Sequence, residues 1–353
     1  MDNAADKPGR YMAHQYLRDR WDRTGRLLAF RAKNEEEWKV WRKDLLRVLR
    51  RLTGYDTMLM CPLNPTVTET AEFDDYVRER VEIETEPGIV MPLFVLVPKQ
   101  GTPPYPAVIA PHGHGGGGKA AVVGLRERPE VAKAIDHYNY AYGVSFVRAG
   151  FITFCPDARG FGERQEAAVK GNVLASSCSV LNNMAYPLGQ TVTGMWAWDL
   201  TRLVDYIETR SDCRRDRIGC AGLSGGGLQT LWATAFDERI TCAVISGYLY
   251  GYKDSLLDLH QNCSCNYVPH LYEYVDMGDI AATIAPRPIL IETGNKDALN
   301  GARGVENVTS QVDIIRKSYG IFGVQDRVFH DVFEGEHRWN GVHALPWLEK
   351  WLK

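Results

Sequence analysis

The chain contains no apolar stretch long enough to cross a bilayer as a helix, and its opening residues, MDNAADKPGR, lack the hydrophobic core of a secretory leader. A cytoplasmic protein that does not engage membranes is expected. It also lacks an excess of either charge: 41 Lys and Arg face 44 Asp and Glu, a net of -3, which leaves no electrostatic footprint for nucleic acid. Small, neutral or mildly polar partners fit better. No internal repeat appears, which excludes solenoids and propellers. Paired metal-binding cysteine motifs are missing too. Of the eight cysteines, only Cys263 and Cys265 lie close together, with His260 and His270 nearby, and a zinc site needs about four ligands, usually with a second pair. The expectation is no metal, no cofactor and reduced core thiols.

What is present is a core. At 353 residues, 45% of them hydrophobic, the chain can bury a substantial interior in one large α/β domain with additions. Residues 1–72 are rich in Arg, Trp and Glu and read as a helical N-terminal extension. Within it, NEEEWKVWRKDLLRVLRRLTG carries a capping box at Asn34 and Glu37, apolar residues at helical spacing from Trp38 to Leu52, and a terminating Gly54. Such a helix must dock, either on its own domain or on a partner. Residues 73–353 then read as a single domain. A hairpin is predicted from YVRERVEIET and IVMPLFVLVP, joined by EPG. PAVIAP, FITFCPD, RIGCAGLS, ITCAVISG, PILIETG and RVFHDVFEG follow as buried strands, with helical stretches between several of them. This alternation predicts a mostly parallel sheet with helices on both faces, whose ligands bind at the carboxyl ends of the strands. Two long irregular segments, 163–192 and 248–280, are expected to be loop insertions of the functional kind.

The loop after PAVIAP is HGHGGGGKA, which admits three chemistries. Gly113, Gly115 and Gly118 fit a dinucleotide fingerprint; Gly113, Gly118 and Lys119 fit a phosphate loop up to its last position; and the same backbone could hold an oxyanion. Ala120 stands where a Mg²⁺-ligating Ser or Thr is needed, and Asp136, the candidate ribose acid, lies in a helical pattern. Both nucleotide readings therefore fail.

The third reading gains from Gly222-Leu223-Ser224-Gly225-Gly226, which places a serine between a predicted strand and a predicted helix. A serine hydroxyl is a poor nucleophile until a base takes its proton, and a carboxylate must orient that base. Asp297 follows the strand PILIETG and His337 follows RVFHDVFEG, giving the chain order Ser, Asp, His. Asp254 and Asp258 compete for the acid role, whereas His330 within a strand and His343 in a closing helix are poorly placed as bases. The N–H groups of Gly225 and His114, with Gly115 as the alternative, are the expected oxyanion donors.

With HGHGGGG, DARGFGER, GLSGGG, DIAATIAPRPILIETGNKD and GEHRWNG, the sequence resembles the α/β-hydrolase superfamily, in particular its dienelactone-hydrolase-like and acetyl-xylan-esterase-like bacterial branch. The resemblance implies cofactor-free carboxylic-ester hydrolysis through a serine acyl-enzyme, with short-chain or carbohydrate-borne acetyl esters as substrates. Ser224 replaces the cysteine of dienelactone hydrolases proper, which argues against that reaction. The alternatives are a prolyl-oligopeptidase-like peptidase and a non-catalytic scaffold that binds a ligand or partner. Arg159 could contact substrate or, with Asp157, pin its loop. Tyr248 and the tyrosines that follow it could form an aromatic rim for a sugar ring or simply pack.

Overall fold

In a computed structural model, which describes residues 11–260 and 262–353, the chain builds a nine-stranded sheet. Residues 1–10, read above for a leader, lie outside the described residues. The strands are β1 (Thr66–Glu72), β2 (Tyr76–Glu86), β3 (Ile89–Pro98), β4 (Tyr105–Ile109), β5 (Ile152–Pro156), β6 (Cys213–Leu223), β7 (Ile240–Ser246), β8 (Ile289–Gly294) and β9 (Val328–Phe333). Their spatial order is β1-β2-β3-β5-β4-β6-β7-β8-β9. The first three pairings are antiparallel and the remaining five are parallel.

The inner parallel strands β4, β5, β7 and β8 read as continuous apolar runs because both of their faces are covered, whereas β9 at the edge leaves Phe329 and Val332 exposed. Along β4, Ala107 and Ile109 pack into one layer and Val108 and Ala110 into the other. The period of two recurs in β7, where Ala243 and Ile245 face opposite to Cys242 and Val244. One layer is filled by the helices Pro129–Tyr138, Tyr142–Arg148 and Ala344–Leu352, the other by Val192–Thr209, Gly225–Phe236 and Val305–Ile321. After β4 the chain turns toward β5, and it then crosses back to β6 on the far side of β4. The crevice between the carboxyl ends of β4 and β6 is therefore the topological switch point, where an open sheet binds ligands.

The helix Glu35–Thr53 begins with Asn34 accepting the N–H of Glu37 and ends at Gly54 in the left-handed region. Its apolar face docks on its own chain. Leu45 and Leu49 are completely buried, and the Trp38 indole N–H donates to Ser318 Oγ at 2.9 Å while its ring meets Phe322 edge-on. Further upstream, the N–H groups of Leu27 and Leu28 donate to the carbonyls of Glu273 and Tyr274, tying the chain's beginning to the second long loop.

One element of the 1–72 segment differs from the expectation. Thr66–Glu72 is not helical; it forms β1, the outer strand of the sheet. Its sequence, TVTETAE, is exposed on both faces, so it carries no alternation of apolar residues to betray a strand.

Truncating Trp38 to Ala removes a buried indole and its hydrogen bond, and is expected to lower unfolding free energy by about 3 to 5 kcal/mol. Denaturant titration measures this. A loss below about 1 kcal/mol would show that the helix rests on the domain without stabilising it.

Candidate active site

Strand β6 is buried through to Leu223 and stops at Ser224, whose φ of 60° and ψ of -119° are strained for a residue with a side chain. That conformation costs about 1 to 3 kcal/mol and needs neighbours that enforce it. The Ser224 N–H donates to Ser246 O at 2.8 Å, and its carbonyl accepts the N–H of Leu228 in the first turn of helix Gly225–Phe236. The flanking glycines answer to backbone proximity. A Cβ on Gly226 would sit 2.2 Å from Pro111 O, one on Gly222 2.7 Å from the same oxygen, and one on Gly227 2.9 Å from Ser246 O.

The loop after β4 is held against this elbow by side chains from both layers. Tyr142 donates its hydroxyl to Pro111 O at 2.6 Å, Tyr140 to His114 O at 2.7 Å, and Gln229 its amide to His112 O at 2.9 Å. His112 is buried, and burial pushes its pKa below the ordinary imidazole value. Its Nε2 accepts the N–H of Ala158, so the proton resides on Nδ1 and faces Gly113 O. The His114 ring lies against Gly225, where a Cβ would come within 2.8 Å of Nδ1.

Lys119, the phosphate-loop lysine of the rejected reading, is buried and donates to Asp157 and Glu163. Arg159 is likewise engaged, meeting Asp199 at 2.9 Å and Glu86 at 2.7 Å, with Arg164 also on Asp199. Asp157 therefore pairs with Lys119 rather than with Arg159, and both pairs fasten DARGFGER beneath the site. Two guanidinium groups hold the Asp199 carboxyl down at about 2 against the opposing effect of its burial.

The loops after β8 and β9 are joined to each other: Asn295 N–H donates to Phe333 O and Lys296 N–H to Gly335 O, both at 2.9 Å. This brings Asp297 Oδ2 to 2.6 Å from His337 Nδ1. The other carboxylate oxygen of Asp297 accepts the N–H of Leu299, so one side chain both caps the turn and orients the ring. The ring rests over Gly247, where a Cβ would lie 3.0 Å from its Cε1. The competing acids are occupied elsewhere, Asp254 with Arg303 at 2.7 Å and Asp258 with Arg18 at 3.1 Å.

Ser224 and His337 open into one cavity of about 270 Å³, together with His114, Gly115, Gly225 and Tyr248. Asp297 lies behind His337, and Arg159 is not among the lining residues. Tyr248 and Tyr250 both reach this wall; burial pushes their phenols well above the ordinary value, which keeps them neutral donors. Tyr252 is buried away from it in the core. Sequence reasoning missed Tyr138, Asn262, Asn266 and Leu299 as lining residues. Leu299 was within reach as the second residue after Asp297; Asn262 and Asn266 carried no signal, since nothing local says which residues of a long loop turn inward, and Tyr138 ends a helix whose placement over the site only the fold gives.

A mostly parallel doubly wound sheet, with a strained serine at its switch point and an Asp–His pair beyond the last two strands, defines an α/β-hydrolase. The chain belongs to the Abhydrolase family, whose model matches residues 9–330. It is 28% identical over 322 residues to the protein named "Putative hydrolase YtaP" of Bacillus subtilis (strain 168), covering 88% of this chain and 98% of that one. It is 26% identical over 243 residues to the 4-O-methyl-glucuronoyl methylesterase of Hypocrea jecorina (strain QM6a), covering 61% of this chain and 45% of that protein. Among solved structures, a Bacteroides fragilis protein described as a "putative acetyl xylan esterase" superposes with a TM-score of 0.81 at 20% identity, over 99% of this chain and 97% of that one. A glucuronoyl esterase from Solibacter usitatus superposes with a TM-score of 0.68 at 17% identity, over 93% and 97%.

Beneath the site, Glu292 of β8 accepts the Gly247 N–H through its backbone carbonyl and the Gly341 N–H through its carboxyl, the latter at 2.8 Å. Burial pushes this carboxyl up to about 7 from 4.5. A carboxyl whose folded pKa is raised favours folding below its unfolded pKa and loses that contribution as pH climbs through the folded one. Stability should therefore fall by up to about 3 kcal/mol between pH 4.5 and about 7 through this group. Glu292→Gln should flatten that part of the profile in denaturant unfolding at the two pH values; an unchanged slope would mean that Glu292 is ionised in the fold.

Proposed function

We propose that the chain is a serine carboxylic-ester hydrolase acting on short-chain or carbohydrate-borne acetyl esters. The observation that carries this reading is the 2.6 Å contact between Asp297 and His337 behind the cavity that Ser224 shares. Because Nδ1 of His337 faces a carboxylate, its proton stays there and Nε2 is left free as the base. In the proposed reaction, Ser224 Oγ attacks the ester carbonyl while Nε2 of His337 takes its proton, and Asp297 stabilises the imidazolium. The oxyanion forms against the N–H of Gly225, which has no acceptor within its helix, and the N–H of His114, with that of Gly115 as the alternative. Collapse expels the alcohol with the proton from His337, and water, deprotonated by the same ring, releases the acid.

The substrate class rests on two supports. Three of the four proteins compared above bear names of carbohydrate esterases, and the Bacillus subtilis one is named only as a hydrolase. The cavity, at about 270 Å³, falls at the small end of ligand pockets and suits a short acyl group better than a long one. In this reading Tyr248 meets the alcohol, offering a ring face to a sugar. Arg159 has its fork filled by Asp199 and Glu86 and serves the loop.

Ser224→Ala should lower hydrolysis of an aryl acetate by about 10³-fold or more, and Asp297→Asn by nearly as much, whereas Asp254→Asn should leave it within about threefold. A large loss at Asp254 instead would move the acid to the loop after β7. On a panel of acetyl, butyryl and octanoyl aryl esters, acetylated xylan, a methyl ester and a peptide anilide, the acetyl esters should be preferred. Preference for the anilide would identify a peptidase.

A further inference from the structure

Three thiols and one imidazole meet at the edge of the cavity, and ester hydrolysis uses none of these side chains. His114 comes from the loop after β4, Cys178 opens helix Cys178–Ala185 in the first long loop, and Cys263 and Cys265 flank Ser264 in the second. Each offers one ligand atom, and the four atoms lie within 4.8 Å of one another. Cys178 and Cys265 are completely buried, and Cys265 Sγ is 3.4 Å from Nε2 of His114. The surroundings suit negative sulfur: the Asn266 amide donates to Cys265 Sγ at 3.6 Å, and Ser176 Oγ lies 3.6 Å from Cys263 Sγ. The His114 ring is wedged by Phe161, at 5.0 Å between ring centres, and by Trp196.

Ordinary core cysteines are scattered, as Cys155, Cys220 and Cys242 are here, each on its own strand among apolar neighbours. Four ligating atoms gathered from three distant segments are a different arrangement. We infer that His114, Cys178, Cys263 and Cys265 form a closed Cys₃His site for a zinc ion, which staples both long loops to the loop after β4.

A tetrahedral zinc with Zn–S near 2.3 Å and Zn–N near 2.0 Å sets its ligand atoms about 3.5 to 3.8 Å apart. The present spacing reaches that with movements of no more than about 1 Å. Thiolate-rich donor sets select zinc over magnesium or calcium. All four positions are filled by protein, so the ion is structural and holds no water for attack. Binding of a divalent ion to the three sulfurs would displace their protons. Binding of the ion is independent of the esterase reading; its effect on turnover, through the His114 backbone, rests on it.

The test is metal content of the full chain, purified reduced and desalted, together with Co²⁺ titration of the chelated protein. About one zinc per chain is expected, with thiolate-to-cobalt charge transfer and tetrahedral ligand-field bands on titration. Cys178→Ser and Cys263→Ser should each cut zinc content at least about tenfold. Chelation of the wild type should lower Tm by about 5 °C or more, reversed by zinc, a readout that needs no variant to fold. The inference is overturned by fully reduced wild-type protein that takes up neither ion, by a disulfide mapped among these cysteines in the purified chain, or by metal content that survives the Cys178→Ser, Cys263→Ser double variant.

Discussion

The carbonyl oxygen of Pro111 is the point on which the site turns. It lies where a side chain on either Gly222 or Gly226 would stand, so the ends of β4 and β6 meet backbone to backbone. That contact permits the serine between them to adopt its strained geometry, and it places the loop after β4 alongside the first turn of helix Gly225–Phe236. The hydroxyl of Tyr142 occupies the same carbonyl, which therefore has its partner without any side chain from the elbow. Enlarging any of these glycines would part the two strand ends and relax the serine at once.

Beneath the elbow, charge does the fastening. Lys119, Asp157 and Glu163 form one cluster, and Arg159, Arg164, Asp199 and Glu86 another, and together they join the loop after β5 to the segment after β4, the end of β2 and the helix Val192–Thr209. Buried ion pairs add little net stability compared with apolar packing, but losing one partner strands a charge in a dry place. Their worth here is geometric, since each guanidinium or ammonium accepts few arrangements of its acids. Hydrophobic contacts alone would leave such loops free to slide.

The sequence made the central sheet legible because its strands are buried on both faces and bounded by glycine and proline, a pattern that survives without tertiary information. The serine and the aspartate stood out because each follows such a strand, and the histidine because it lies on the loop after the last strand, β9. Other features were illegible for physical reasons. Ala120 already spoke against a phosphate role for Lys119, but that its ammonium is buried against Asp157 and Glu163 is visible only in the fold. Cys263 and Cys265 were visible as a pair, but the nearby His260 and His270 are exposed, and the side chains that meet the cysteines come from His114 and Cys178, far away in the chain. Spacing rules detect ligands that share a local turn; they are blind to ligands gathered by topology. Asn262 and Asn266 belong to the cavity wall only because of how a long loop lies over it, and Tyr138 only because of where its helix ends.

Strand β1 was missed for lack of an apolar face, and the same lack has a use. The outer strand of an open sheet presents unpaired N–H and C=O groups to which any extended chain could attach. β1 meets that hazard with TVTETAE, whose register against β2 shifts between Val67 and Glu69, and whose Glu69 carboxylate pairs with Arg78 of its neighbour. An incoming strand would find a bent template bearing two glutamates, with Val67 the one large apolar side chain of β1 to meet it. The sheet can thus be long, twisted and strongly paired within, and still end in water on this side without recruiting a second copy of itself.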